Sequence, residues 1–160
     1  MTTALRRDQQ GMTLIESMIA ILIFSMGILA LVGMYTSAVS RTTDSQYRIE
    51  AANHANRILG QIWANVDRST AANLTASLQA YQHRPGGGNC NFSGAASANA
   101  DVAAWLAAIT APGTGLPGAG AATNQILVDT ANFNRVTVTV CWRAPGDTYA
   151  HQHVVVANIN

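Results

Sequence analysis

From residue 17 to residue 40 the chain is predominantly apolar and carries no charge. As a helix this run is long enough to cross the hydrocarbon core of a bilayer, which takes about 20 residues. Helical spacing continues beyond it. Tyr47, Ala51, Ala55, Ile58 and Ile62 recur at intervals of four, four, three and four, which places them on one helix face. Leu59 and Trp63 widen that face, and Arg41, Asp44, Arg48, Glu50 and Arg57 surround it. The pattern predicts one helix over residues 12–65, apolar in its first half and amphipathic in its second. At about 1.5 Å per residue it would be roughly 80 Å long.

The pattern changes after residue 65. Ser69-Thr70 reads as a cap for a short helix ending near Ala80. Pro85-Gly86-Gly87-Gly88-Asn89 reads as a turn. Residues 98–110 form a second short helix anchored by Trp105, Leu106 and Ile109, and the Gly/Pro-rich residues 111–122 form a loop. Three strands follow, over 125–129, 133–143 and 149–159. In the middle one Val136, Val138 and Val140 alternate with Thr137, Thr139 and Cys141, a period of two. Pro145-Gly146-Asp147 separates the last two strands as a hairpin loop would. The expected fold is α+β, with the amphipathic half of the long helix packed on a small C-terminal antiparallel sheet.

Composition narrows the function classes. Only 11% of residues are charged, against about 25% in an average soluble domain. The formal net charge of +1 supplies no basic field for nucleic acid. Every basic residue is Arg, which removes Schiff-base and phosphate-loop lysines from consideration. Cys90 and Cys141 are not in a CxxC arrangement. In a chain that enters a membrane at its N-terminus, a single pair suggests one disulfide formed outside the cytoplasm, the alternative being two buried thiols. A disulfide would tie the Gly-rich turn to the sheet.

The N-terminus carries the sharpest signal. Arg6 and Arg7 precede the apolar run and would stay cytoplasmic, so the remainder of the chain would lie on the outer side of the membrane. The run exceeds the 7–15 residues typical of a removable secretory signal, and no strong A-x-A-like site follows it. A plain signal anchor would explain that much. Glu16, however, stands at the entrance of the run. A carboxylate at the bilayer centre costs about 3 kcal/mol on insertion scales, less near the interface, and such a group ordinarily has a partner. Cleavage between Gly11 and Met12 would create an α-amino group four residues before Glu16. In an array of helices, the amine of one subunit would meet the carboxylate of its neighbour and fix the axial register.

The segment Gly11-Met12-Thr13-Leu14-Ile15-Glu16, behind a short basic leader and ahead of an apolar helix, resembles the cleavage and methylation motif of type IV prepilins. The resemblance implies that a membrane aspartic protease, the prepilin peptidase, cuts after Gly11 and N-methylates Met12. It makes Glu16 the assembly carboxylate. Met12 stands where the family more often has Phe. The stretches SMGILALVGM (residues 25–34) and ANHANRILGQIWAN (residues 52–65) are similar to the helix of minor pilins of the PilV type. By this resemblance residues 1–11 are a leader, 12–65 the long helix with its transmembrane and assembly segment at 17–40, and 66–160 a globular α+β head. Gly27 and Gly33 each cost about 1 kcal/mol relative to Ala within a helix. They read either as points of close helix packing, as sites of local unwinding, or as ordinary membrane glycines.

Sites of other chemistry are weakly supported. His151 and His153 fall on one strand face, with His83 or His54 as possible neighbours, but a metal needs further ligands and a second shell. The reading is of solvated histidines, with no metal and no cofactor. The carboxylates show no paired spacing, and no G-x-S-x-G, HExxH or dinucleotide fingerprint occurs. Trp63, Trp105 and Trp142 read as core anchors. Asn73-Leu74-Thr75 and Asn91-Phe92-Ser93 match a glycosylation acceptor, which the bacterial character of the N-terminal motif discounts.

The sequence therefore predicts a non-enzymatic minor pilin of the type IV pilus, supporting pilus biogenesis, adhesion or twitching motility. Its implied partners are the prepilin peptidase, other major and minor pilins, and the inner-membrane assembly platform. The implied location is the bacterial inner membrane with a periplasmic head, then the filament on the cell surface. A type II secretion pseudopilin and a single-pass anchored binding module are the alternatives.

Overall fold

The structure, a computed structural model, describes residues 12–160. Residues 1–11, the expected leader with Gly11, lie outside the described residues. The element order is α1 (Met12–Asn65), α2 (Ala71–Ala80), β1 (Gly86–Gly88), β2 (Asn91–Ser93), α3 (Ala100–Ile109), β3 (Gln125–Asp129), β4 (Arg135–Trp142) and β5 (His151–Asn158). The architecture is α+β, a long apolar N-terminal helix with a small antiparallel sheet, as in the type IV pilin-like fold. The chain divides into two compact units, one ending at Thr43 and one over residues 44–160.

The first unit is the apolar part of α1. Leu14, Ile19, Phe24, Leu29 and Met34 are all exposed. A helix that is apolar all round is stable only when something outside it covers that surface. Three hydroxyls of this part bond to their own helix: Ser17, Ser25 and Thr36 donate to the carbonyls of Thr13, Ile21 and Val32 at 2.7–2.9 Å. Such back-bonding removes the desolvation cost of a hydroxyl among apolar neighbours.

The second unit holds the core. Ala51, Ala55, Ile58, Leu59 and Ile62 of α1 are buried in one cluster with Leu78, with Val102, Trp105 and Ile109 of α3, and with Ile126, Val136, Val138, Val140 and Trp142 of the sheet. The sheet order is β3-β4-β5, antiparallel throughout. Alternation along β4 sends its valines to the core and Thr137, Thr139 and Cys141 to the other face. Short helices begin where capping chemistry allows. The Thr70 side chain accepts from the Asn73 amide, and the Asn99 side chain accepts from the Asp101 amide. The Trp105 indole donates to the His54 carbonyl at 3.0 Å, which ties α3 to α1.

Three local expectations are corrected. The glycine run is more than a turn: β1 pairs with β2, Gly86 with Ser93 and Gly88 with Asn91. The turn is Asn89-Cys90, with φ of 51° and 60°, the two left-handed residues that a tight hairpin needs. β4 begins at Arg135 and not at Phe133, because Phe133 and Asn134 also hold positive φ and reverse the chain. Trp63 is not a core anchor. It is 49% exposed, with the Arg68 guanidinium 5.0 Å above its ring. It lies at the margin of the apolar stripe, where a stacked cation covers the ring in place of the core.

Candidate functional site

Met12 and Glu16 lie four residues apart at the start of α1, and residues at that spacing share a helix face. Glu16 is exposed, flanked by exposed Leu14, Ile15, Met18 and Ile19. An ionised carboxylate only accepts hydrogen bonds, so it cannot back-bond to helix carbonyls as the nearby hydroxyls do. Among the described residues its carboxylate has no hydrogen-bond or ion-pair partner. The geometry is thus an acceptor without a donor, at the end of an apolar helix without a covering surface. The chemical complement of such an acceptor is a cationic donor, such as a protonated amine. Gly27 and Gly33 lie within the unbroken helix, and a Cβ added at either would meet nothing within 4 Å. Neither is required by packing inside the chain.

The second unit contains polar constellations, and each has a structural reading. The Asp101 carboxylate accepts from Tyr81 at 2.7 Å and from Asn65 at 2.9 Å, joining the end of α1, the end of α2 and the start of α3. The Tyr81 and Asn65 hydrogen bonds lower the Asp101 pKa below the usual carboxylate value. Burial, with the Asp101 interaction behind it, raises that of Tyr81. His83 is buried, and its Nδ1 accepts from the Ser97 amide while its Nε2 donates to the Ala121 carbonyl. Its backbone bridges to Ile126 and closes the outer edge of β3. His151 pairs with Asp147 at 2.9 Å and stacks on Trp142. Of the histidines considered for a metal, His83 and His151 are therefore committed to separate contacts. Among the described residues no group of three or more His, Cys, Asp or Glu is arranged to hold a metal ion.

Cys90 and Cys141 are joined by a disulfide, with Cα atoms 5.8 Å apart. With Phe92 they form a second small buried cluster on the sheet face opposite the main core. Asn124 is fully buried beside it and accepts from the Cys141 amide. Sequence reasoning passed over Asn124, because a lone Asn before a strand gives no periodic or motif signal.

The profile of the prokaryotic N-terminal methylation motif matches residues 6–32. No curated protein and no solved structure matches the chain significantly. The motif indicates a precursor of the type IV pilin and pseudopilin class, anchored in the membrane by its N-terminal helix. It points to a structural subunit, processed by prepilin peptidase and assembled with other pilins. α1 agrees with that reading, being long and apolar enough to cross a membrane with none of its most apolar stretch buried.

Proposed function

We propose that this chain is a minor pilin, an assembly subunit of a type IV pilus that supports pilus biogenesis, adhesion or twitching motility. Prepilin peptidase cuts between Gly11 and Met12 and methylates the Met12 amine. Before assembly the helix sits in the inner membrane and the α+β head lies in the periplasm. On assembly the exposed apolar surface of residues 13–39 exchanges lipid for neighbouring pilin helices. The Met12 amine and the Glu16 carboxylate of adjacent subunits then pair and set the axial step. The disulfide supports the extracytoplasmic placement of the head, since such bonds persist in oxidising compartments.

The observation that carries this reading is Glu16: an acid without a partner among the described residues, at the entrance of the charge-free run 17–40, four residues after the residue that cleavage would make the first. The test is the intact mass and N-terminal sequence of the protein from cells that express a prepilin peptidase. The expected chain begins at Met12 and is heavier than the unmodified cleaved chain by one CH2, a methyl group having replaced an amine hydrogen. A mature chain that still begins MTTALRR defeats the reading.

A further inference from the structure

Beside the disulfide is an open cleft of about 370 Å³, lined by Asn89, Cys90, Tyr149, Ala150 and Gln152. Its size falls within the range of about 300–1,000 Å³ that is usual for small-ligand sites. We infer that this cleft binds a neutral pyranose sugar. The inference goes beyond the assembly role and does not depend on N-terminal processing.

The chemistry of the lining carries it. Tyr149 is 81% exposed, so its ring offers an apolar plane that the protein does not use. A pyranose has one face of C–H groups and a rim of hydroxyls. The C–H face suits an aromatic plane, and the rim needs groups that both donate and accept. Primary amides do both. Among the described residues the Asn89 and Gln152 amides make no hydrogen bond to the protein, so both remain available. No charged residue lines the cleft. Asp147 and His151, close by along the chain, are engaged with each other at 2.9 Å. A phosphate, sulfate or cation would find no counter-charge there, which favours an uncharged ligand.

The frame is also fixed before any ligand arrives. Asn89 and Cys90 form the two-residue hairpin turn, and the disulfide ties that turn to β4. Gln152 sits directly opposite Cys141 in the β4–β5 ladder, so its side chain leaves the same sheet face as the disulfide. The Cys90 sulfur lies 3.7 Å from the His151 carbonyl oxygen, and the His151 ring stacks on Trp142, which together hold the start of β5 behind Tyr149. A backbone frame held in place loses little entropy on binding.

The test uses the full chain in a phosphocholine detergent, because maltoside and glucoside detergents would themselves occupy the site. Methyl glycosides of glucose, galactose, mannose and N-acetylglucosamine serve as probes, read by saturation-transfer NMR. The expected result is transfer to the ring protons of at least one glycoside. Tyr149→Ala should weaken that binding about ten-fold, Gln152→Leu should also weaken it, and Tyr149→Phe should retain it. Phe133→Ala, at the opposite end of the sheet, should leave it unchanged. Absence of transfer from all four glycosides overturns the inference, as does transfer that survives Tyr149→Ala. Each variant is checked for an intact head by its tryptophan emission, and Tyr149 is too exposed for its removal to disturb the core.

Discussion

Cys90 and Cys141 are bonded across 51 residues of sequence, and the bond joins a two-residue hairpin turn to the central strand of the sheet. Cys90 holds a left-handed backbone that a residue with a side chain seldom adopts. The turn, the disulfide and the small Cys90–Phe92–Cys141 cluster therefore support one another. Closing a loop of this length stabilises the fold by about 4 kcal/mol in the chain-entropy account. Cys90→Ser with Cys141→Ser should lower the free energy of unfolding of the head by about that amount. Urea titration followed by tryptophan emission, in detergent, measures it. An unchanged midpoint would show that the hairpin needs no staple.

Gly87 lies in β1 with φ of 83°, and a Cβ there would run into the Asn91 carbonyl oxygen. Gly87→Ala should destabilise the head by more than about 1 kcal/mol, because both the dihedral and the space exclude a side chain. Gly88→Ala, where a Cβ would meet nothing within 4 Å, serves as the control. Thermal unfolding of the two variants should separate them clearly.

The face of α1 that enters the core can be checked by contrast. Ile58 is fully buried and Ile49 is 62% exposed on the same helix. Ile58→Ala should cost about 2–5 kcal/mol through lost burial and the cavity left behind. Ile49→Ala should stay within about 0.5 kcal/mol. Equal effects in urea titration would mean that the stripe is misplaced.

Acid should weaken the junction at Asp101. Its folded-state pKa is lowered by hydrogen bonds from Tyr81 and then Asn65. A depressed carboxylate contributes stability that is fully present above the unfolded-state value, about 3.9. That contribution is lost as pH falls through the folded-state value, where the native carboxylate also protonates. Asp67, lowered chiefly by its hydrogen bond with Ser69, acts in the same direction. The urea midpoint should thus fall with pH in the acid range. Asp101→Asn should flatten that fall without abolishing it, since Asp67 remains. Tyr81 has the opposite sense: its raised value contributes stability below the unfolded-state value of about 10, lost as pH rises through the folded-state value.

On the proposed function, Glu16→Gln should leave membrane insertion intact and impair incorporation into filaments. The apolar run that inserts is untouched, while the acceptor for a neighbouring amine loses its charge. Membrane fractionation and immunodetection in sheared filaments measure the two separately. Normal incorporation of the variant would remove Glu16 from assembly.

Much of the fold is legible in the sequence because its signals are local. The long helix announces itself by the apolar run and then by spacing from Tyr47 to Ile62. β4 announces itself by alternation, and Thr70 by its capping chemistry. Gly86–Gly88 has no side chains to show a pattern, so its pairing with β2 was hidden. Phe133 looked like a strand residue because its composition is strand-like, while its backbone is that of a turn. Trp63 looked buried because of its size, and the stacked Arg68 could not be foreseen from position alone.

The same division applies to function. Gly11, Met12 and Glu16 are neighbours along the chain, so one short stretch of sequence displays the motif, and helical geometry alone puts the last two on one face. The cleft at Asn89, Tyr149 and Gln152, and the bond between Cys90 and Cys141, exist only because distant segments meet across the sheet. Strand register decides which side chains stand side by side there, and no periodicity within a single segment encodes it.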